Sequence, residues 1–217
     1  DAIDDATAAQ LVAMPLSALM LLEMLDVAAG DWIVQNAANG AVGKALAMLA
    51  RARGVNVLNL VRREEGIEEM AAQGIGNTVC TMHEGWKAQA RDLMGGARPK
   101  AAVDSVSGPA SGVLCSLLGE NGLLVSFGSM TGESMQIPSG ELIFKQITVK
   151  GFWGTPASKA LSSQDRRRLM GELMQRAASG ELQLPVAATD GFEDIAQAVQ
   201  DSLTPGRASK GKILLRP

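Results

Sequence analysis

The chain has 217 residues, 47% hydrophobic and 20% charged, with a formal net charge of -3. That length holds one large domain or one and a half, and the balance suits a globular α/β protein, not a disordered, fibrous or nucleic-acid-binding one. The longest apolar run, Leu11 to Leu22, is interrupted by Pro15 and Ser17 and is too short to span a bilayer; no secretory leader is legible, so a cytoplasmic protein with no membrane or nucleic-acid partner is expected.

Asp5 or Thr7 offers a cap for a first helix from Ala8 to about Leu25, with Pro15 as a candidate kink and Gly30 past its end. Trp32, Ile33, Val34 and Gln35 suit a buried parallel strand. The strand runs into Ala37-Ala38-Asn39-Gly40-Ala41-Val42-Gly43. An Ala-, Leu- and Met-rich helix follows to Ala52, Gly54 stops it, and Val55 to Val61 is again strand-like. A strand, a glycine loop, a helix and a second strand within about 30 residues are the context a dinucleotide-binding loop requires. Ala38 stands where the usual pattern G-x-G-x-x-G begins, giving A-x-G-x-x-G. Gly40 would admit a phosphate to its backbone, and Gly43 would let the helix, whose free N-terminal amides favour an anion, pack on the strand. The competing reading is a plain βα turn that binds nothing.

Arg62 and Arg63 close the second strand, about 20 residues beyond the loop, where NAD enzymes place an acid for the ribose 2′-OH and an arginine accommodates the 2′-phosphate of NADP. A guanidinium fork matches two phosphate oxygens, so NADPH is the expected cofactor; the alternative is a solvated Arg-Arg-Glu-Glu cluster. A polar helix from Glu64 to Gln73, a strand at Asn77 to Cys80, a helix at Trp86 to Met94 and a strand at Ala101 to Val106 come next. Then come a helix from Gly108-Pro109 to about Leu118, a strand at Leu123 to Phe127, and a short helix at Gly140 to Lys145 capped by Ser139. A sixth strand, Ile147 to Phe152, precedes a basic helix from about Ser163 to Ser179. A strand at Val186 to Ala188, a helix at Phe192 to Ser202 and a strand at Lys212 to Leu215 close the chain. This alternation predicts a doubly wound, Rossmann-type parallel sheet of six strands in the order 3-2-1-4-5-6. Cys80 and Cys115 lie in apolar contexts as reduced core residues, and with His83 the single histidine no metal site is expected.

The segments AANGAVG at 37 to 43, VDSVSG at 103 to 108, LLVSFGSMTG at 123 to 132 and GKILL at 211 to 215 resemble the coenzyme-binding part of medium-chain dehydrogenase/reductases. MPLSALMLLE before the first strand, LVRRE after the second and LIFKQITVKGFW at 142 to 153 are most similar to the zinc-free 2-enoyl thioester reductases and quinone oxidoreductases. The resemblance implies hydride transfer from NADPH to an enoyl thioester or quinone-like acceptor. It implies that Phe127, Gly128, Ser129 and Met130 line the nicotinamide side, that Phe152 and Trp153 border the nicotinamide and acyl pocket, and that Lys210 reaches the pyrophosphate. With Ala38, Asn39, Gly40, Ala41, Val42, Gly43, Arg62 and Arg63 these make up the candidate cofactor site.

Such reductases begin with a GroES-like catalytic domain that this sequence does not contain. Residues 1–30 therefore read as a linking helix, 31–180 as the dinucleotide-binding domain and 181–217 as a segment packing back toward the catalytic domain. Tyrosine, the proposed proton donor of those enzymes, is absent from the chain, so no catalytic residue is assigned and the chain alone is expected to bind cofactor without turning over. Val12-Ala13-Met14-Pro15 offers no zinc ligand where zinc enzymes place one, which disfavours a zinc alcohol dehydrogenase; a non-catalytic NADPH-binding module is the other alternative. Ile147, Val149 and Phe152 give the sixth strand an apolar edge, through which a homodimer is expected.

Overall fold

The computed structural model describes residues 3–204 and 211–217. Six strands, β1 (Trp32–Gln35), β2 (Asn56–Val61), β3 (Thr78–Cys80), β4 (Ala101–Asp104), β5 (Leu123–Ser126) and β6 (Thr148–Gly151), form one parallel sheet in the order β3-β2-β1-β4-β5-β6. This is the order expected from the alternation of strands and helices. β1 lies between β2 and β4, with Ile33 opposite Val57 on one side and Ala101 on the other.

Both faces of the sheet are apolar, and residue alternation divides them between two cores. Ile33, Val57, Ala101, Val103 and Val125 point to one face, which α2 (Met14–Met24), α3 (Ala41–Ala52) and α9 (Ser163–Ala178) cover through Leu19, Leu46 and Leu169. Val34, Leu58, Ala102 and Leu124 point to the other, covered by α5 (Trp86–Leu93) and α6 (Pro109–Leu117) through Ala90 and Leu114. The strands are short and rich in Val, Leu and Ala, so their side chains fit between two helical layers. α2 buries Leu16, Leu19, Leu21 and Leu22 together, and so is apolar all round, because it is packed between α3 and α9. Among the described residues no helix is long and apolar enough to cross a membrane.

The first predicted helix is two helices. α1 (Asp5–Ala8) is capped by the Asp4 carboxylate on Thr7 N at 2.7 Å, the chain then turns, and α2 starts afresh. Pro15 sits in the first turn of α2, where a missing N–H costs nothing, so it opens a helix instead of kinking one. α7 (Ser139–Lys145) has Pro138 as its N-cap and no side-chain cap, which corrects the role given to Ser139. β4 ends at Asp104, not Val106. The reason is that Asp104 Oδ1 accepts from Val106 N at 2.9 Å and Ser107 N at 3.0 Å, which curls the backbone into a turn. α4 (Glu65–Ala71) is shorter than expected, and α8 (Gly154–Ala160) escaped detection because GTPASKA buries no residue and reads as a loop.

β7 (Val186–Gly191) and β8 (Lys212–Arg216) pair in parallel as a separate two-stranded sheet, with α10 (Ile195–Leu203) between them in sequence. At the open edge of the main sheet β6 is exposed along its length. Ile147 and Phe152, at 8% and 7% exposure, turn into the chain's own core, so they do not form the apolar edge predicted for them. Val149 on β6 with Ile143 and Phe144 on α7 supply the exposed apolar surface there. Cys80 and Cys115 are buried free thiols, and burial, with the Glu141 carboxylate nearby, pushes the Cys115 thiol up to about 11.

Candidate functional site

The sheet's carboxyl ends meet at one edge, and hydrogen bonds across that edge fix the loops that leave it. Asn36 follows β1 directly, and its amide Nδ2 donates to Asp104 Oδ1 at 2.7 Å while its Oδ1 accepts from Ser105 N at 2.7 Å. The Asp104 carboxylate, fully buried, also accepts from the Ser111 hydroxyl at 2.5 Å. β1, β4 and α6 are thereby locked at the point where the strand order reverses, the place where open α/β sheets bind ligands. Phe127 N and Gly128 N donate to Asp104 O at 2.8 and 3.2 Å, and Phe152 N donates to Ser126 O at 2.8 Å, so the loops after β5 and β6 join the same edge.

The glycine loop stands at this edge. Gly40 is the extended N-cap of α3, and no side chain caps the helix, which leaves the first-turn amides of Ala41, Val42 and Gly43 uncapped by any side chain. A Cβ on Gly43 would lie 2.5 Å from Ala38 O and 2.9 Å from Ala38 C and Cα, so only glycine lets α3 approach the loop this closely. The departure from the usual pattern at Ala38 has a local explanation. Ala38 is not the residue in a left-handed conformation; Ala37 is, at φ 47°, and it bears the sharp turn. The base of the loop rests on a buried amide pair. Gln35 Nε2 donates to Gly43 O and to Asn59 Oδ1, both at 2.8 Å, and Asn59 Nδ2 donates to Gly76 O at 2.8 Å.

Asn39 Nδ2 donates to Glu69 Oε2 on α4 at 2.9 Å, so part of its donor capacity is spent within the fold. Lys44, buried one turn into α3, has its ammonium pKa pushed down by burial, with the Glu69 carboxylate pulling the other way. Arg62 and Arg63 lie exposed at the end of β2, and neither side chain makes a hydrogen bond or ion pair among the described residues. Within the Arg-Arg-Glu-Glu cluster Glu64 pairs with His83, Nε2 to Oε1 at 2.9 Å, and both arginines stay exposed to solvent.

Ser129 and Met130 lie in an exposed turn held to the chain after β4 by Met130 N donating to Ser105 O at 3.2 Å. The predicted Phe152–Trp153 pair divides. Phe152 is buried with its ring 6.0 Å from that of Phe127, and Trp153 stands 75% exposed. Lys210 lies outside the described residues. The structure thus gathers 38–43, 62–63, 127–130 and 152–153 at the carboxyl edge. Sequence reasoning missed Asn36, Asp104, Gln35, Asn59 and Lys44; for Gln35, Asn59 and Asp104 the available signal was a polar side chain inside an otherwise apolar strand, and for Lys44 a charge on the apolar helix α3. Among the described residues no three His, Cys, Asp or Glu side chains gather where they could hold a metal ion.

A parallel sheet in this order, with a glycine loop feeding a helix N-terminus at the reversal point, defines a Rossmann-type dinucleotide-binding domain. The chain belongs to the family described as zinc-binding dehydrogenase, whose model matches residues 41–173, the coenzyme-binding part of the medium-chain dehydrogenase/reductases. It is 31% identical over 193 residues to a mitochondrial enoyl-[acyl-carrier-protein] reductase of Caenorhabditis elegans, covering 88% of this chain and 55% of the relative. The fold matches that of a Bacillus thuringiensis protein assigned as an NADPH:quinone reductase, with TM-score 0.87 and 24% identity over 100% of this chain and 66% of the other. It also matches the mitochondrial 2-enoyl thioester reductase Etr1p/Etr2p heterodimer of Candida tropicalis, with TM-score 0.76 and 24% identity over 92% of this chain and 60% of the other. The chain spans 55% of the length of the first of these relatives.

Proposed function

We propose that the chain is the NADPH-binding part of an oxidoreductase that delivers hydride to an activated C=C bond of a 2-enoyl thioester, or to a quinone-like acceptor. NADPH supplies the hydride, and the chain's own residues bind and orient it. The uncapped amides of Ala41, Val42 and Gly43 would meet the diphosphate, with Gly40 leaving room for it. Arg62 and Arg63 would hold the 2′-phosphate. The loop at 127–130, tethered to Asp104 and Ser105, and the ordered ring of Phe152 would form the wall beside the nicotinamide. The observation that carries the reading is a pair of arginines without side-chain partners set at the end of β2, one strand from an uncapped glycine loop. The relatives' enoyl reductase and quinone reductase descriptions support the acceptor class. In this reading the proton donor and the remainder of the acceptor pocket would belong to a catalytic domain that residues 1–30 and 181–217 adjoin. Zinc has no part in the chemistry proposed for this chain, since Val12-Ala13-Met14-Pro15 carries no ligand-type side chain.

We further propose a homodimer formed through β6, where an exposed strand runs beside Val149, Ile143 and Phe144. Calorimetric titration with NADPH and NADH tests the cofactor choice. The chain is expected to prefer NADPH, and Arg62→Ala with Arg63→Ala to remove most of the preference, a charge-assisted contact being worth about 1.5–3 kcal/mol. Equal affinities in the unmodified chain refute the choice.

A further inference from the structure

Two opposite signals for cofactor choice stand side by side at the end of β2. Arg62 and Arg63 follow the strand directly, and Glu64 comes next as the N-cap of α4. A guanidinium at this corner accommodates a ribose 2′-phosphate, whereas an acid there accepts from a 2′-OH. The corner therefore carries a group for each cofactor. What separates them is the loop after β3. Thr81 N donates to Val61 O at 2.9 Å, extending the pairing of β3 with β2, and the Cys80 thiol donates to Arg62 O at 3.4 Å. This tie sets His83 beside Glu64, with Nε2 2.9 Å from Oε1.

We propose that His83 is a specificity-determining positioning residue, which holds the Glu64 carboxylate and so leaves the ribose corner to Arg62 and Arg63. The inference rests on the NADPH reading given above. With His83 Nε2 2.9 Å from it, the Glu64 carboxylate is drawn toward the loop after β3 and away from a ribose 2′-OH. The two arginines, having no such partner among the described residues, stay available. The other charged groups on these two segments are Glu65 beside Glu64, and Glu84 and Lys87 beyond His83. His83 is the single histidine of the chain, and nothing in hydride binding calls on it.

The test is a double-mutant cycle on the 217-residue chain. The unmodified protein, His83→Ala, Glu64→Gln and the double variant are titrated with NADPH and with NADH at one pH and one ionic strength, with circular dichroism as a check on folding. His83→Ala is expected to narrow the NADPH preference about two- to fivefold, the range of an exposed side-chain pair. Adding Glu64→Gln is expected to restore the preference, and His83→Gln, which keeps a donor, to retain most of it. A residue that mattered only for packing would not be rescued by removing the charge of Glu64. If the unmodified chain binds both cofactors equally, the NADPH reading itself fails. If the preference is present but His83→Ala leaves it unchanged, or Glu64→Gln does not restore it, the role of His83 alone is overturned.

Discussion

Two glycines three residues apart in one loop should respond to the same substitution in different ways. Gly43→Ala puts a methyl 2.5 Å from Ala38 O and 2.9 Å from Ala38 C and Cα. All three are backbone atoms in a loop pinned by Gln35 and by Ala38 N donating to Leu60 O at 3.2 Å, so the neighbour cannot swing aside and α3 must shift. Overpacking of this kind costs about 1–3 kcal/mol. The lower backbone entropy of alanine in a helix returns about 0.5–1 kcal/mol. The net loss is centred on about 1 kcal/mol, or about 2–4 °C in Tm for a chain of this size. Gly40→Ala meets only Ala37 O at 3.2 Å from an extended backbone, but alanine is a poorer N-cap than glycine, so stability should fall by up to about 1 kcal/mol. Its methyl stands where a phosphate would approach, however, and NADPH affinity should fall at least about tenfold, equivalent to about 1.4 kcal/mol. Gly171→Ala, inside α9 with open space around it, is the control and should raise stability by about 0.5–1 kcal/mol. Thermal unfolding and calorimetric titration of the three variants read both quantities. An unchanged Tm for Gly43→Ala, or unchanged NADPH affinity for Gly40→Ala, would refute the steric reasoning.

Asp104→Ala leaves Asn36 Nδ2, Val106 N, Ser107 N and the Ser111 hydroxyl without their acceptor and should cost about 3–5 kcal/mol. Asp104→Asn should cost less, because Ser111 can reverse and accept from the new amide; denaturant unfolding gives both values, and equal losses would count against that reversal. Burial raises the Glu23 carboxyl pKa, but hydrogen bonds and charge from Arg168 and Arg53 outweigh it and hold the pKa below 4.5. The contribution of this part-exposed pair is therefore present above the unfolded value and lost as pH falls through the folded one. Glu23→Gln should be less stable than the unmodified chain by up to about 1 kcal/mol at pH 7, a difference that shrinks as acid protonates Glu23, and a difference constant with pH would exclude the pair as its source. Thr148 N and Phe152 N donate to Gly122 O and Ser126 O, so along a strand of period two the Val149 N–H faces the open edge. Val149→Pro should therefore yield monomers by light scattering while far-ultraviolet circular dichroism is retained, whereas a persisting dimer would place the interface elsewhere.

Much of this protein is local information. The apolar run of β1, the spacing of Gly40 and Gly43 and the composition of α3 determine a strand, a turn and a helix within one stretch of chain. Repetition of that unit leaves few ways to wind a parallel sheet, so the strand order was legible as well. Arg62 and Arg63 were legible because their distance from the loop is set by the length of one helix and one strand.

What tertiary structure decided are the pairings between residues far apart in sequence. Asn36 reads as a loop residue until Asp104 arrives beside it from β4. Pro15 reads as a kink until the burial of α2 between α3 and α9 shows that the helix begins there. Ile147 and Phe152 read as an open apolar edge, yet they turn inward because the other face of the sheet also needs filling. His83 and Glu64 are 19 residues apart and meet only because β3 pairs with β2. Hydrophobic periodicity is a one-dimensional signal and carries no record of such encounters. They depend on which strands become neighbours, and that is settled by burying both faces of the sheet at once.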